Sequence, residues 1–243
     1  MKKTTGKIWD KAPSWLLPAL ILLLGAVLRL YRLGAIPAGM HQDESMGAWN
    51  AYALFHEGID SAGHHFPTSL ANWGDGQSPL YSWLIIPFIA LNGGHVNSFI
   101  SRLPQALVAI LTLFAVYDLM RRMFNRKLGI WTMFLLAICP WHIMMSRWGL
   151  EVNLSPGFLI FGLYFFILGL ENKRFLLLSG LCYGLVLYCY GVMWPVVPII
   201  LIIQIVYGLY HKKLTINRYS IGAAVILFFL AVPHILFTKT SHT

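Results

Sequence analysis

PLYSWLIIPFIAL, Pro79–Leu91, is the stretch on which the threading of the whole chain depends. It is apolar enough to be taken for a membrane span. As a helix, however, 13 residues reach only about 20 Å, against a hydrocarbon core of about 30 Å. Pro87 lies inside it and removes a backbone donor. Counting it as a span would also put Arg121, Arg122, Arg126 and Lys127 outside, against the bias of basic loops toward the cytoplasm. The stretch is therefore read as re-entrant or lying in the interface.

With that choice, seven apolar runs remain as spans: Trp15–Leu30, Leu103–Met120, Leu128–Met145, Leu154–Leu170, Phe175–Tyr190, Trp194–Tyr210 and Tyr219–Phe237. The lysines at 2, 3, 7 and 11, the 121–127 cluster, Lys173 with Arg174, and Lys212, Lys213 and Arg218 then all fall on the cytoplasmic side. The start of the chain has a signal-peptide-like pattern, but Arg29 and Arg32 follow the apolar run closely and no small-residue cleavage site is evident, so an uncleaved anchor is expected. The expected placement is a multi-pass protein of the cell membrane with a cytoplasmic N-terminus.

Composition agrees. The chain has 58% hydrophobic and only 11% charged residues, where a soluble domain carries about 25% charged. Mean hydropathy is +0.66. The net charge of +9 sits in short clusters between apolar runs, which excludes a basic nucleic-acid-binding face. Cys139, Cys182 and Cys189 lie inside apolar segments without zinc-site spacing and read as small buried hydrophobes. No repeat or low-complexity linker divides the chain, so 1–243 is one all-α membrane domain.

The long outer loop, from about Gly34 to Ser101, carries most of the unusual chemistry. It opens IPAGMHQDESMGAWNAYALFHEGID. Asp43 is placed to cap a helix running to about His56, and Gly58 is a natural stop. Met46, Trp49, Tyr52, Ala53 and Phe55 give that helix an apolar side suited to the bilayer surface. Asp43 and Glu44 read locally as a cap and a solvated first-turn acid. At the membrane face, a carboxylate could instead take the proton of an attacking hydroxyl. Further on, SRWGLEVNLSP places Arg147 and Glu151 four residues apart, as an interfacial ion pair or as an acid and a cation for acceptor positioning and phosphate binding. Trp73, Asp75, Gln77, Tyr81 and Trp83 could stack on and bond a sugar, or form an aromatic belt.

The runs HQDESMGAWNAYALFHEGID, DGQSPLYSWLIIPF, SRLPQALVAILTLFAVYDLMRRMF and CPWHIMMSRWGLEVNLSP resemble the bacterial glycosyltransferase family 39 group, relatives of protein O-mannosyltransferases and aminoarabinose transferases in the GT-C superfamily. The similarity is collinear from about Pro37 to Pro156, with looser hydropathy agreement to Phe237. It implies a GT-C helical bundle and a catalytic Asp43 with Glu44 beside it, and it maps the acid after the third span onto Glu151. It also implies an inverting transfer, from an undecaprenyl- or dolichyl-phosphate sugar to an extracytoplasmic hydroxyl, without a nucleotide. A mannose-like hexose fits the resemblance. The acceptor class, whether protein, cell-wall polymer or glycolipid, is left open.

Within this reading Arg147 and Arg102 are candidates for the carrier phosphate, and Gln77, Tyr81, Trp73 and Asp75 for substrate contacts. No cofactor is required. A divalent metal held by His41, His64, His65 and nearby carboxylates is chemically conceivable, but solvated loop histidines are the stronger reading. After the fifth span YCYGVMWP lacks the Lys of aminoarabinose transferases, which argues against that sugar. Relatives are usually much longer, so the chain resembles their N-terminal module, with the C-terminal half expected to be absent. The alternatives are a non-catalytic polyprenyl-lipid-binding or assembly protein, an inactive fragment, or a transporter. Against a transporter, the cytoplasmic half of the spans has little ionisable chemistry beyond Asp118, and no internal inverted repeat is evident.

The threading is open to test. A single cysteine at Asn125 should stay unlabelled by an impermeant thiol reagent on intact cells and react once they are opened. Labelling from outside would mean that Pro79–Leu91 crosses the bilayer.

Overall fold

The structure, a computed structural model, describes residues 13–65, 67–72 and 75–240. The N-terminal lysines 2, 3, 7 and 11, and Trp73, fall outside them. Among the described residues ten α-helices carry the fold: α1 Leu16–Leu30, α2 Gln42–Glu57, α3 Leu80–Leu91, α4 Ser98–Met123, α5 Arg126–Ile138, α6 Pro140–Met145, α7 Leu154–Glu171, α8 Phe175–Val186, α9 Met193–Tyr210 and α10 Arg218–Thr240. A two-stranded antiparallel ribbon, β1 Leu70–Asn72 with β2 Asp75–Gln77, pairs Leu70 with Gln77. This ribbon is absent from the sequence reading, since three-residue strands leave no periodicity to detect.

Each of the seven expected spans is helical, and three segments are long and apolar enough to cross a membrane: Ser98–Met123, Glu151–Glu171 and Met193–Tyr210. The run expected as one span, Leu128–Met145, is two helices. Pro140 supplies no backbone N–H and Cys139 is extended (φ −62°, ψ 116°), so α5 ends and α6 starts anew with Pro140 in its first turn.

α4 lies at the centre, packed by α1, α5, α7 and α3, while α7 leads on to α8 and α8 to α10. α3 stays at one end of this bundle. The Tyr81 hydroxyl in its first turn donates to Ser101 O in the first turn of α4, and residues 92–97 return its other end to the start of α4. The C-terminal end of α1 meets the same place, with Gly34 against Phe99. The N-terminal end of α1 is far down the bundle, where the Arg126 guanidinium donates to Ser14 O at 2.6 Å.

α2 ends as the sequence suggests, at Gly58 in the left-handed region (φ 70°). Its cap differs. His41 is the N-cap, with Nδ1 accepting from Asp43 N–H and Glu44 returning to His41 N–H, so Asp43 lies inside the first turn. Gly47, Ala48, Ala51 and Leu54 are buried, whereas Trp49 (56% exposed) and Phe55 face outward.

The Gly180–Gly184 pair serves packing inside the chain. A Cβ at Gly180 would stand 2.5 Å from Ala223 O, and one at Gly184 2.3 Å from a Leu230 methyl, both on α10. Backbone cannot yield as a side-chain tip can. Gly180→Ala should therefore cost about 1–3 kcal/mol through overpacking, seen as a lower unfolding midpoint in detergent, whereas Gly191→Ala, where nothing lies within 4 Å of the added atom, should be nearly neutral.

Candidate active site

The sequence between α1 and α2 has to turn back sharply, and Arg32 does so in the left-handed region (φ 49°), which a non-glycine residue enters at a cost of about 1–2 kcal/mol. Two buried arginines hold this connector. Arg147 Nη1 donates to Leu28 O and Arg29 O, both at 3.0 Å, and Nη2 to Tyr31 O at 2.7 Å and Ile36 O at 3.0 Å. Arg102 Nη1 donates to Leu33 O and Pro37 O, and Nη2 to Gly39 O. The remaining Arg102 donors go to Glu44: Nε to Oε1 at 2.7 Å and Nη2 to Oε2 at 3.1 Å.

Glu44 is thus no solvated first-turn acid. Its side chain, like that of Arg102, is fully buried, and both oxygens are engaged a second time, Oε1 by Gly149 N–H at 3.1 Å and Oε2 by His41 N–H at 3.3 Å. With all five guanidinium N–H groups of Arg102 engaged, that residue, expected at the carrier phosphate, is placed as a holder of backbone. The same correction applies to Arg147, 7% exposed and with four donors on carbonyls. Burial, and after it the nearby Arg102 charge, lower the Arg147 pKa from its ordinary value.

Nor do Arg147 and Glu151 share a helix face. α6 ends before Arg147, and Glu151 opens a 3-10 turn, Glu151–Asn153. Tyr81, expected at a sugar, is 2% exposed and spends its hydroxyl on Ser101 O. Asp75 contributes main chain to the ribbon opposite Asn72.

Three expected residues do come together. Gln77, 4% exposed at the end of β2, donates through Nε2 to Asp43 O at 3.2 Å and to Glu151 Oε2 at 3.0 Å. One amide therefore joins the first turn of α2 to the start of the 3-10 turn, and Gln77 Oε1 is buried without a partner among the described residues. The Asp43 carboxylate, 35% exposed, lies 3.4 Å from His41 Nδ1. His41 and Trp148 rings approach at 6.3 Å.

The sequence reading weighed His41 only as a metal ligand and missed it as the cap of α2, although a residue with a side-chain acceptor three before Glu is the pattern of a capping box. Gln105 and Asn153 escaped it too. Gln105 Nε2 donates to Asn153 O at 2.9 Å, and Asn153 Nδ2 to Met145 O and Trp148 O at 3.1 and 3.2 Å, which fixes the turn that presents Glu151. Nothing local in the sequence signals these long-range bonds.

The structure is thus a bundle of apolar helices whose one end gathers acids around an amide, and its sequence has no glycine-rich phosphate loop. Comparison with known proteins gives its family. Residues 76–237 match the model of the family described as dolichyl-phosphate-mannose-protein mannosyltransferase, and the chain belongs to that family. Among solved structures it is similar to ArnT from Cupriavidus metallidurans in the apo state (17% identity, TM-score 0.66) and bound to undecaprenyl phosphate (16%, 0.67), covering 93% of this chain and 41% of that one in both. The archaeal oligosaccharyltransferase AglB from Archaeoglobus fulgidus, in complex with an inhibitory peptide and a dolichol-phosphate, matches at 15% identity and TM-score 0.66 over 95% of this chain and 30% of its own. The chain thus spans less than half the length of these structures. No curated protein matches it.

The Glu44–Arg102 pair should be expensive to break. Glu44→Gln leaves a buried guanidinium without its counter-charge and should cost about 3–5 kcal/mol, measured as a fall in the unfolding midpoint. Glu44→Gln combined with Arg102→Met should lose less than the two single changes added together. Strict additivity would show that the two do not act as a pair.

Proposed function

We propose that this chain forms the N-terminal membrane module of an inverting glycosyltransferase, moving a sugar from a polyprenyl-phosphate carrier to a hydroxyl acceptor outside the cytoplasm, with Asp43 as base. The observation that carries the proposal is the division of labour within the acidic pair: Glu44 is buried against Arg102, whereas Asp43 keeps a partly open carboxylate beside the Gln77–Glu151 junction. In the transfer, the acceptor O–H gives its proton to Asp43 as its oxygen bonds the anomeric carbon from the face opposite the phosphate. The bond from that carbon to the phosphate oxygen breaks, and the carrier leaves as polyprenyl phosphate. Glu151 and Gln77 orient the acceptor.

Family membership supports transferase chemistry, and the undecaprenyl phosphate and dolichol-phosphate bound in the similar structures support the carrier class. A hexose of the mannose type follows from the family description alone. The positive-inside pattern supports placing the Asp43 end of the bundle outside, where nucleotide sugars are scarce.

A positioned base contributes about 100- to 10,000-fold in rate. In membranes supplied with a lipid-linked donor, Asp43→Asn should lose activity by about that factor at unchanged protein level, and NMR of the product should show inversion. Glu44→Gln should act through protein level instead. Full activity of Asp43→Asn, or retention of configuration, would falsify the mechanism.

A further inference from the structure

At the end of the bundle away from Asp43, where α1 starts and α4 finishes, a second polar cluster closes on itself. Asp118 accepts from Arg121 Nε at 2.8 Å, Arg122 Nε at 2.7 Å and the Tyr164 hydroxyl at 3.0 Å, and Arg122 Nη1 goes on to Glu171 at 2.9 Å. Two carboxylates there answer two arginines. Arg126 and Lys127 are different. Both are exposed, Arg126 meets only the neutral Ser14 carbonyl, and neither has a carboxylate partner among the described residues.

These two cations rim a hollow of about 430 Å³ whose other walls are Leu17, Ile130 and Trp131. A charged rim over an apolar wall fits a molecule that has an anionic head and a hydrocarbon tail. Trp131 in its wall is 52% exposed, and Trp15, next to the Ser14 that Arg126 binds, is 65% exposed; exposed aromatic side chains of this kind suit the level where membrane meets water. Residues 1–12, outside the described ones, contain four lysines and one aspartate, so their net charge is positive. A free phosphate would satisfy the rim and leave the apolar wall unused.

We infer that this hollow is a binding site for one anionic phospholipid, its phosphate between Arg126 and Lys127 and an acyl chain along Leu17, Ile130 and Trp131. The site stands apart from the transfer chemistry proposed above and needs no assumption about it. Its charge surplus selects phosphatidylglycerol over phosphatidylcholine, whose headgroup carries a compensating cation.

The test uses the full chain in mixed micelles, with retained lipids counted by native mass spectrometry. Phosphatidylglycerol should be retained in preference to phosphatidylcholine. Each basic residue near a membrane surface is worth about 1 kcal/mol, so Arg126→Gln with Lys127→Gln should weaken that retention about 30-fold. The unfolding midpoint in phosphatidylcholine should stay unchanged, both side chains being exposed. Should the double variant fold poorly, the unmodified protein still decides: phosphatidylglycerol with brominated chains should quench tryptophan fluorescence, and Trp131→Phe should remove part of that quenching. Equal retention of the two lipids, a preference untouched by the double substitution, no share of quenching from Trp131, or full displacement by inorganic phosphate would each overturn the proposal.

Discussion

The bidentate contact between Glu44 and Arg102 is the constraint from which the rest of this end of the bundle follows. It joins α2 to α4 across 58 residues of sequence, and neither group tolerates its setting alone, since an unpaired buried charge costs several kcal/mol. Because Arg102 also binds carbonyls at Leu33, Pro37 and Gly39, the same guanidinium sets the path by which the chain leaves α1. Gly149 N–H on Glu44 Oε1 then brings in the segment after α6. Four stretches distant in sequence are thereby fixed to one carboxylate.

Arg147 extends this logic from the other side. Its donors take carbonyls at Leu28, Arg29, Tyr31 and Ile36, so the connector between α1 and α2 is clasped by both arginines, whose carbonyl partners alternate along it. A segment in which Arg32 adopts φ 49° would not hold that shape by local preference. This end of the bundle therefore needs cations in its interior for architecture, and Arg102 and Arg147 meet that need with backbone carbonyls and one carboxylate as partners.

What could be read in advance was the chemistry that stays local. Gly58 as the stop of α2 and the helical character of the apolar runs each depend on a few neighbouring residues, and the structure reproduces them. Arg102 and Arg147 could not be placed that way. An arginine that binds carbonyls and one that awaits a phosphate look the same in sequence, and the difference lies in partners up to 119 residues away. The break at Cys139–Pro140 was hidden for another reason. Hydropathy counts side chains, whereas the missing donor belongs to the backbone.

The separation of Asp43 from Glu44 follows from helix geometry. Successive residues of an α-helix point about 100° apart, so two adjacent acids in a first turn cannot both enter the same interior. The capping box decides which one does: with His41 as N-cap, Glu44 occupies the third helical position, whose side chain must reach back toward His41 N–H. That reach directs Glu44 inward to Arg102 and leaves Asp43 on the side where Gln77 and Glu151 approach. Had the cap fallen one residue earlier, at Met40, Asp43 would have occupied that third position instead. The identity of the open carboxylate is thus set by where α2 begins, and His41 is the residue that sets it.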